Sequence, residues 1–211
     1  MNKLAQFPAR EKPVTRKNME LKEGKSDQLL ILVDEKDKEW GKLEKMEVHR
    51  LGLLHRAFSV FIFNSAGELL MQQRAENKYH SASLWSNTCC SHPTFGEDLK
   101  QAVNRRLKEE LGLKVNTEFL FSFIYKIRFD NGLTEHEFDH VFFGISDHRP
   151  HPDPAEVKNI KYVKPEDLEK DLAENPGLYS EWLRLCFRDI ISNDKIRNAI
   201  KGKLPDSAKD A

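Results

Sequence analysis

The chain has 211 residues, of which 39% are hydrophobic and 32% charged, enough for one full hydrophobic core and for a single domain with decorated ends. Its 34 basic and 34 acidic side chains cancel, which removes the broad positive field that sequence-independent nucleic-acid binding needs; a polyanion must be met by a local cluster of positive charge. No apolar run approaches the roughly 18 residues that cross a bilayer, and the three cysteines, two of them adjacent at Cys89 and Cys90, fit neither a disulfide framework nor a zinc-ligand spacing. These features predict a cytoplasmic protein, a monomer or weak dimer, with neither nucleic acid nor membrane as partner.

Residues 1–27 are polar, charged and without hydrophobic periodicity, and read as an N-terminal arm, poorly structured or covering a site; 28–201 read as one domain and 202–211 as a polar tail. Gln28 to Asp34, Ala57 to Asn64 and Glu68 to Arg74 have the length and β-branched or aromatic character of strands, with Ser65-Ala66-Gly67 as a hairpin turn. The stretch Leu84 to Pro93 is too polar to read as a strand. Asp98 to Leu111 reads as a helix stopping at Gly112, Phe119 to Phe129 and Glu135 to Ile145 as strands, and Pro165 to Glu174 and Glu181 to Ser192 as helices. Strands on both sides of an isolated helix predict a mixed sheet with helices packed on it, an α/β or α+β architecture.

Three places break the pattern. In the helix from Asp98, at 100° per residue, Leu99, Ala102, Val103 and Leu107 form an apolar stripe, and Arg106 and Glu110 fall in its middle. An Arg/Glu pair at i, i+4 is usually a surface ion pair worth about 0.3 kcal/mol, and that reading suits Arg105 and Glu109 on the flank. A charged pair aimed at the core loses its hydration unless something ionic waits there, so Arg106 and Glu110 are candidate functional residues. In Thr134 to Phe142 the period of two sends Glu135, Glu137 and Asp139 to one face and His136, Phe138, His140 and Phe142 to the other. Stacked carboxylates repel; inside a domain they need a shared cation or a retained proton, and at a sheet edge they need only water. The third place is the Leu84 to Pro93 stretch itself, which sets a thiol two residues from His92. Taken singly, His49, His55 and His92 are ordinary surface or hydrogen-bonded core residues; together with the Glu pair they suffice for a nitrogen/oxygen metal site. His80, His148 and His151 have no such setting and are taken as ordinary.

The run Trp85-Ser86-Asn87-Thr88-Cys89-Cys90-Ser91-His92-Pro93, followed by Glu135-x-Glu137, resembles the type I isopentenyl-diphosphate isomerase family over about residues 28–190. Further matches are Leu43-Glu44-Lys45 ahead of His49, Leu54-His55-Arg56-Ala57-Phe58-Ser59, the Arg74-x-x-x-Lys78 pair, and Trp182. The same region resembles a Nudix box, with Ser91 at its first Gly, Glu97 at the early Glu and Glu109-Glu110-Leu111-Gly112 at its end. It departs where Arg106 replaces the Glu that follows Arg105. That change removes a metal-holding carboxylate of hydrolases and puts a planar guanidinium in its place, suited to gripping diphosphate oxygens.

The resemblance implies a Nudix-like mixed sheet flanked by helices, with extra C-terminal helices, and interconversion of isopentenyl and dimethylallyl diphosphate. It implies one divalent metal (Mn²⁺, Mg²⁺ or Zn²⁺) on His49, His55, His92, Glu135 and Glu137, and a second, Mg²⁺, contacted by Glu110. Lys45, Arg74, Lys78 and Arg106 would meet the diphosphate. For the proton shift, Glu137 helped by Tyr125 is the expected acid, Cys90 the base, and Trp182 the π surface beside a carbocation. A Nudix pyrophosphohydrolase and a non-catalytic binding module are the rival expectations.

Overall fold

In the computed structural model, which describes residues 29–203, the apolar run at His55–Phe63 (β3) forms the axis of a nine-stranded mixed sheet. The strands before β3 are Leu29–Val33 (β1) and Glu39–Glu44 (β2), followed by a short helix, Lys45–Leu51 (α1). After it come Leu69–Arg74 (β4), Trp85–Ser86 (β5), Cys89–Ser91 (β6), the helix Leu99–Leu111 (α2), and the long hairpin of Glu118–Arg128 (β7) and Thr134–Ile145 (β8). Val157–Val163 (β9) and three helices, Pro165–Glu174 (α3), Glu181–Ile191 (α4) and Asp194–Lys203 (α5), complete the described chain.

One edge of β3 pairs with β8 along its length, in parallel, from His55 opposite Glu137 to Phe63 opposite Ile145. The other edge takes β1, β6 and β4 in turn, all antiparallel. β3 is covered on both faces, and so its second half, Val60 to Phe63, is continuously apolar rather than alternating. Phe58, Val60 and Ile62 pack with Ala102, Val103 and Leu107 of α2. Phe61 and Phe63 pack with Leu168 of α3 and Leu183 and Phe187 of α4.

The caps of α2 are those its sequence calls for. Asp98 Oδ1 accepts from the backbone N–H groups of Lys100 (2.9 Å) and Gln101 (3.1 Å), and Gly112 ends the helix at φ 64°. A side chain at Gly112 would also meet His151, with Cβ 3.0 Å from its Cβ, so both the backbone angle and the space require glycine here.

Several expectations change. The stretch from Leu84 contains two short strands after all: β5 pairs with β4, and β6 with β3. Its polar side chains bond inward instead of reaching water. Thr88 Oγ1 accepts from Ile62 N–H (2.8 Å) and donates to the Leu70 carbonyl (2.6 Å), and Asn87 Nδ2 donates to the Cys89 carbonyl (2.8 Å). The elements β2, α1, β9 and α5 carry no strong pattern of their own and were not expected; α5 runs past the predicted domain end at 201. The arm at 1–27, Gln28 and residues 204–211 lie outside the described residues.

Candidate active site

Residues opposite each other in a sheet project to the same face. Glu137 lies opposite His55, Asp139 opposite Ala57, and Cys90 opposite Ser59, so the β8 carboxylates and the β6 thiol share one face although their strands flank β3 on opposite edges. β7 adds Tyr125 opposite Glu137. The carboxylate face is buried throughout, not solvated: Glu135, Glu137 and Asp139 all lie inside the fold.

At one end of this face four side chains from distant segments converge. One donor atom each from His49 (α1), His55 (β3), His92 (after β6) and Glu135 (β8) lies within 4.8 Å of the others. His49 Nε2 is 3.0 Å from Glu135 Oε2, His55 Nε2 is 3.1 Å from His92 Nε2, and His92 Nε2 is 2.8 Å from Glu137 Oε1. The Nδ1 atoms of His49 and His55 face the carbonyls of Lys45 (2.6 Å) and Leu53 (2.9 Å), which fixes their protons there and turns a bare Nε2 inward. Burial pushes His55 down to about 4 and His92 well below the usual imidazole range, so both rings are neutral. Neutral ring nitrogens 3.1 Å apart beside a carboxylate are a donor set for a divalent cation, and the residues present fit one.

The two glutamates differ. Burial would raise both; the His49 and His80 imidazoles beside Glu135 outweigh it and hold its carboxyl well below the usual carboxylate range. Burial, with the charges of Glu135 and Asp139 beside it, drives Glu137 well above that range, although the Tyr125 hydroxyl donates to its Oε2 at 2.6 Å. These surroundings favour the protonated form of Glu137. Burial likewise pushes the Cys90 thiol up to about 12, opposed by the Arg74 guanidinium and by Ser86, whose Oγ is 3.7 Å from the sulfur.

A cleft opens onto this cluster and is lined by Cys90, Glu135, Glu137, Tyr125 and Trp182. The positive side chains Lys45, Arg74, Lys78 and Arg106 line it too, with Glu110 among them. His49 and His55 sit behind the wall. Arg106 reaches Glu110 Oε1 at 2.7 Å and Glu156 Oε2 at 3.0 Å, Lys78 pairs with Glu156, and Gln72 Nε2 donates to Glu110 at 3.0 Å. Arg105 instead pairs with Glu97 and Glu109 on the flank, as its position on the helix predicted. Trp182 is fixed by Nε1 donating to Ser86 Oγ (2.9 Å) and Asn87 Oδ1 (3.1 Å), and the Arg74 guanidinium lies 5.2 Å from its ring centre.

Two of these residues were missed or misread. Glu156, from the loop before β9, had no signal except two candidate cations in need of a partner. His80 was set aside as ordinary, yet it is buried in the cleft wall with Nε2 2.5 Å from Glu135 Oε1. His148 and His151 are exposed and outside this cleft.

The mixed sheet, α2 with its Glu109-Glu110-Leu111-Gly112 ending, and the cleft lined by Arg106 and Glu110 of that helix define a protein of the NUDIX class; residues 53–184 match the NUDIX domain family. The protein DR0079 of Deinococcus radiodurans has the same fold, with a TM-score of 0.65 at 23% identity over 76% of this chain and 98% of that one. Curated relatives are closer in sequence. Isopentenyl-diphosphate Delta-isomerase 1 of Aromatoleum aromaticum is 51% identical over 77% of this chain and 92% of its own. The isopentenyl-diphosphate Delta-isomerase of Pectobacterium atrosepticum is 48% identical over 76% and 90%. The chain belongs to the isopentenyl-diphosphate Delta-isomerase family.

Proposed function

We propose that this chain is a metal-dependent isomerase of isoprenoid biosynthesis, interconverting isopentenyl and dimethylallyl diphosphate by an allylic proton shift. One observation supports the reading above others: the Glu137 carboxyl and the Cys90 thiol share one buried sheet face and one cleft. A metal-activated hydrolysis needs neither group, whereas an unactivated alkene is so weak a base that it needs an acid and a base both held in place.

In this reading Arg106, Lys78, Arg74 and Lys45 hold the diphosphate, and the five-carbon chain lies toward Tyr125, Cys90 and Trp182. Glu137, with Tyr125, gives a proton to the terminal carbon, forming a C–H bond and leaving a tertiary carbocation. Cys90, as thiolate, takes a proton from the carbon next to the diphosphate-bearing one, and that C–H pair becomes the new double bond. The roles exchange in reverse. Arg74 and Ser86 favour the thiolate that this step requires. Trp182 excludes water and offers its π face to the cation, worth about 2 kcal/mol when desolvated, so it assists positioning and charge effects that carry most of the acceleration.

His49, His55, His92, Glu135 and Glu137 would hold one divalent cation, Mn²⁺, Mg²⁺ or Zn²⁺, and Glu110 a second, Mg²⁺, beside the diphosphate. Bound there, such ions supply fixed positive charge that the lining lacks, since Arg106 and Lys78 are already paired with carboxylates. Glu137 can serve both duties because Oε1 faces His92 and Oε2 meets Tyr125. One chain supplies every group named, so the monomer suffices, and the three free cysteines suit a reducing cytoplasm.

Cys90→Ala and Glu137→Gln should each lower isomerisation by about 10²- to 10⁴-fold, the range of a lost general acid or base, while leaving diphosphate binding intact. Near-normal turnover in either variant refutes the assignment; phosphate or pyrophosphate release by the unmodified protein favours a hydrolase instead.

A further inference from the structure

His80 lies between two walls of the cleft. Its ring stacks on Phe129, centroids 4.5 Å apart and planes 10° from parallel, and meets Trp182 edge-on at 5.9 Å and 84°. Tyr79 closes a third side at 4.5 Å. Only the ring edge remains, and its two nitrogens have separate surroundings. Nδ1 is 3.3 Å from Ser81 Oγ, which can donate to it and so leave the proton on Nε2. Nε2 is 2.5 Å from Glu135 Oε1 but lacks the alignment of a formed hydrogen bond, which leaves a buried polar atom short of a partner.

The other oxygen of Glu135 has a different task. Oε2 faces the histidine cluster, 3.0 Å from His49 Nε2 and 3.8 Å from His55 Nε2. The carboxylate therefore spans two environments, with one oxygen among the candidate ligands and one against an aromatic-clamped imidazole. A carboxylate is free to rotate about its last torsion unless both oxygens are held in place; here the far oxygen sits against the ring edge of an imidazole that cannot itself turn.

We propose that His80 is a positioning residue that locks the Glu135 carboxylate so that Oε2 is presented to a divalent cation, joining the cation site to the Trp182 wall through one imidazole. This rests on the metal-dependent reading above. It adds a residue outside the set of side chains that touch the cation, and such outer partners set ligand orientation and affinity.

The test compares two replacements in the purified full-length protein, using Mn²⁺ as probe and chelator competition as readout, with no substrate present. His80→Phe keeps the stack on Phe129 and removes both nitrogens; His80→Gln restores an N–H near the position of Nε2. His80→Phe is expected to weaken Mn²⁺ binding by about 10- to 100-fold, and His80→Gln to recover most of that loss, while the metal-free melting temperature of the Phe variant stays near that of the unmodified chain. Unchanged Mn²⁺ affinity in His80→Phe overturns the proposal, as does a Gln variant that binds no better than the Phe variant. If the Phe variant melts early without metal, the Gln/Phe affinity ratio still decides. Binding of Mn²⁺ needs no isomerisation, so an unmodified chain that binds Mn²⁺ but does not isomerise would overturn the activity and leave His80 to be judged by its own result.

Discussion

Cys89 and Cys90 are one residue apart and serve different faces of β6. Cys89 is opposite Val60 and packs in the core with Val103 and Leu107 of α2, whereas Cys90 is opposite Ser59 and faces the cleft. Burial raises both thiols; after it the largest influence on Cys90 is the Arg74 guanidinium, which opposes the rise, whereas on Cys89 it is the Glu110 carboxylate, which adds to it. Cys89→Ala should therefore lower stability by about 1 kcal/mol, typical of a small core truncation, with kcat kept within a few-fold, measured by thermal melting and steady-state assay. An inactive Cys89→Ala beside an active Cys90→Ala would move the chemistry one residue earlier. The alternation that separates these thiols is a property of the backbone, which is why Glu135 and Glu137 were also legible in sequence as a same-face pair. His80 was not legible, because its setting comes from Phe129 and Trp182, far along the chain and brought to it only by the completed fold.

Among the elements, α2 shows what helical periodicity can and cannot reveal. The 100° step placed Arg106 and Glu110 toward the core and Arg105 and Glu109 on the flank, and burial divides the glutamates in that way, Glu110 buried and Glu109 exposed, although Arg106 also reaches Glu109 at 2.8 Å. The partners Gln72 and Glu156 came from strands and loops that no helical pattern can name. β5 and β6 were hidden for a related reason: their polar residues satisfy the sheet's own interior carbonyls and N–H groups, so the run looks like a loop while bonding like a strand. The two neighbouring arginines give a direct comparison. If Arg106 grips the diphosphate as proposed, Arg106→Ala removes a charge-assisted contact worth about 1.5–3 kcal/mol and should raise the KM for the diphosphate by roughly 10- to 150-fold. Arg105→Ala, whose losses are partly exposed ion pairs worth about 1 kcal/mol or less, should leave KM within a few-fold. Equal KM changes in the two variants would remove the distinction that the helix geometry makes.

Across the whole molecule, the candidate cation site joins parts of the chain that nothing else in the sequence links so directly. His49 comes from α1, His55 from the first residue of β3, His92 from the segment after β6, and Glu135 from β8, with the β3 and β8 ligands meeting across a parallel pairing that requires a long crossover. Without a cation these buried groups crowd two imidazole nitrogens to 3.1 Å and two glutamates onto adjacent same-face positions, away from water, an arrangement that costs stability. A cation binds it only when all four segments are in place, so binding favours the folded chain by mass action, about 2.7 kcal/mol at a hundred times Kd. For a chain with this much ordered structure each kcal/mol moves Tm by about 2–4 °C. Melting in a chelator should thus fall roughly 5–10 °C below melting in saturating Mn²⁺, and His49→Ala should erase most of the difference, because His49 Nδ1 is anchored to the Lys45 carbonyl and its Nε2 is aimed at the cluster. If chelator and Mn²⁺ give the same Tm, the convergence of the four segments is not a cation site, and the charge needed against the diphosphate has to come from Lys45, Arg74, Lys78 and Arg106 alone.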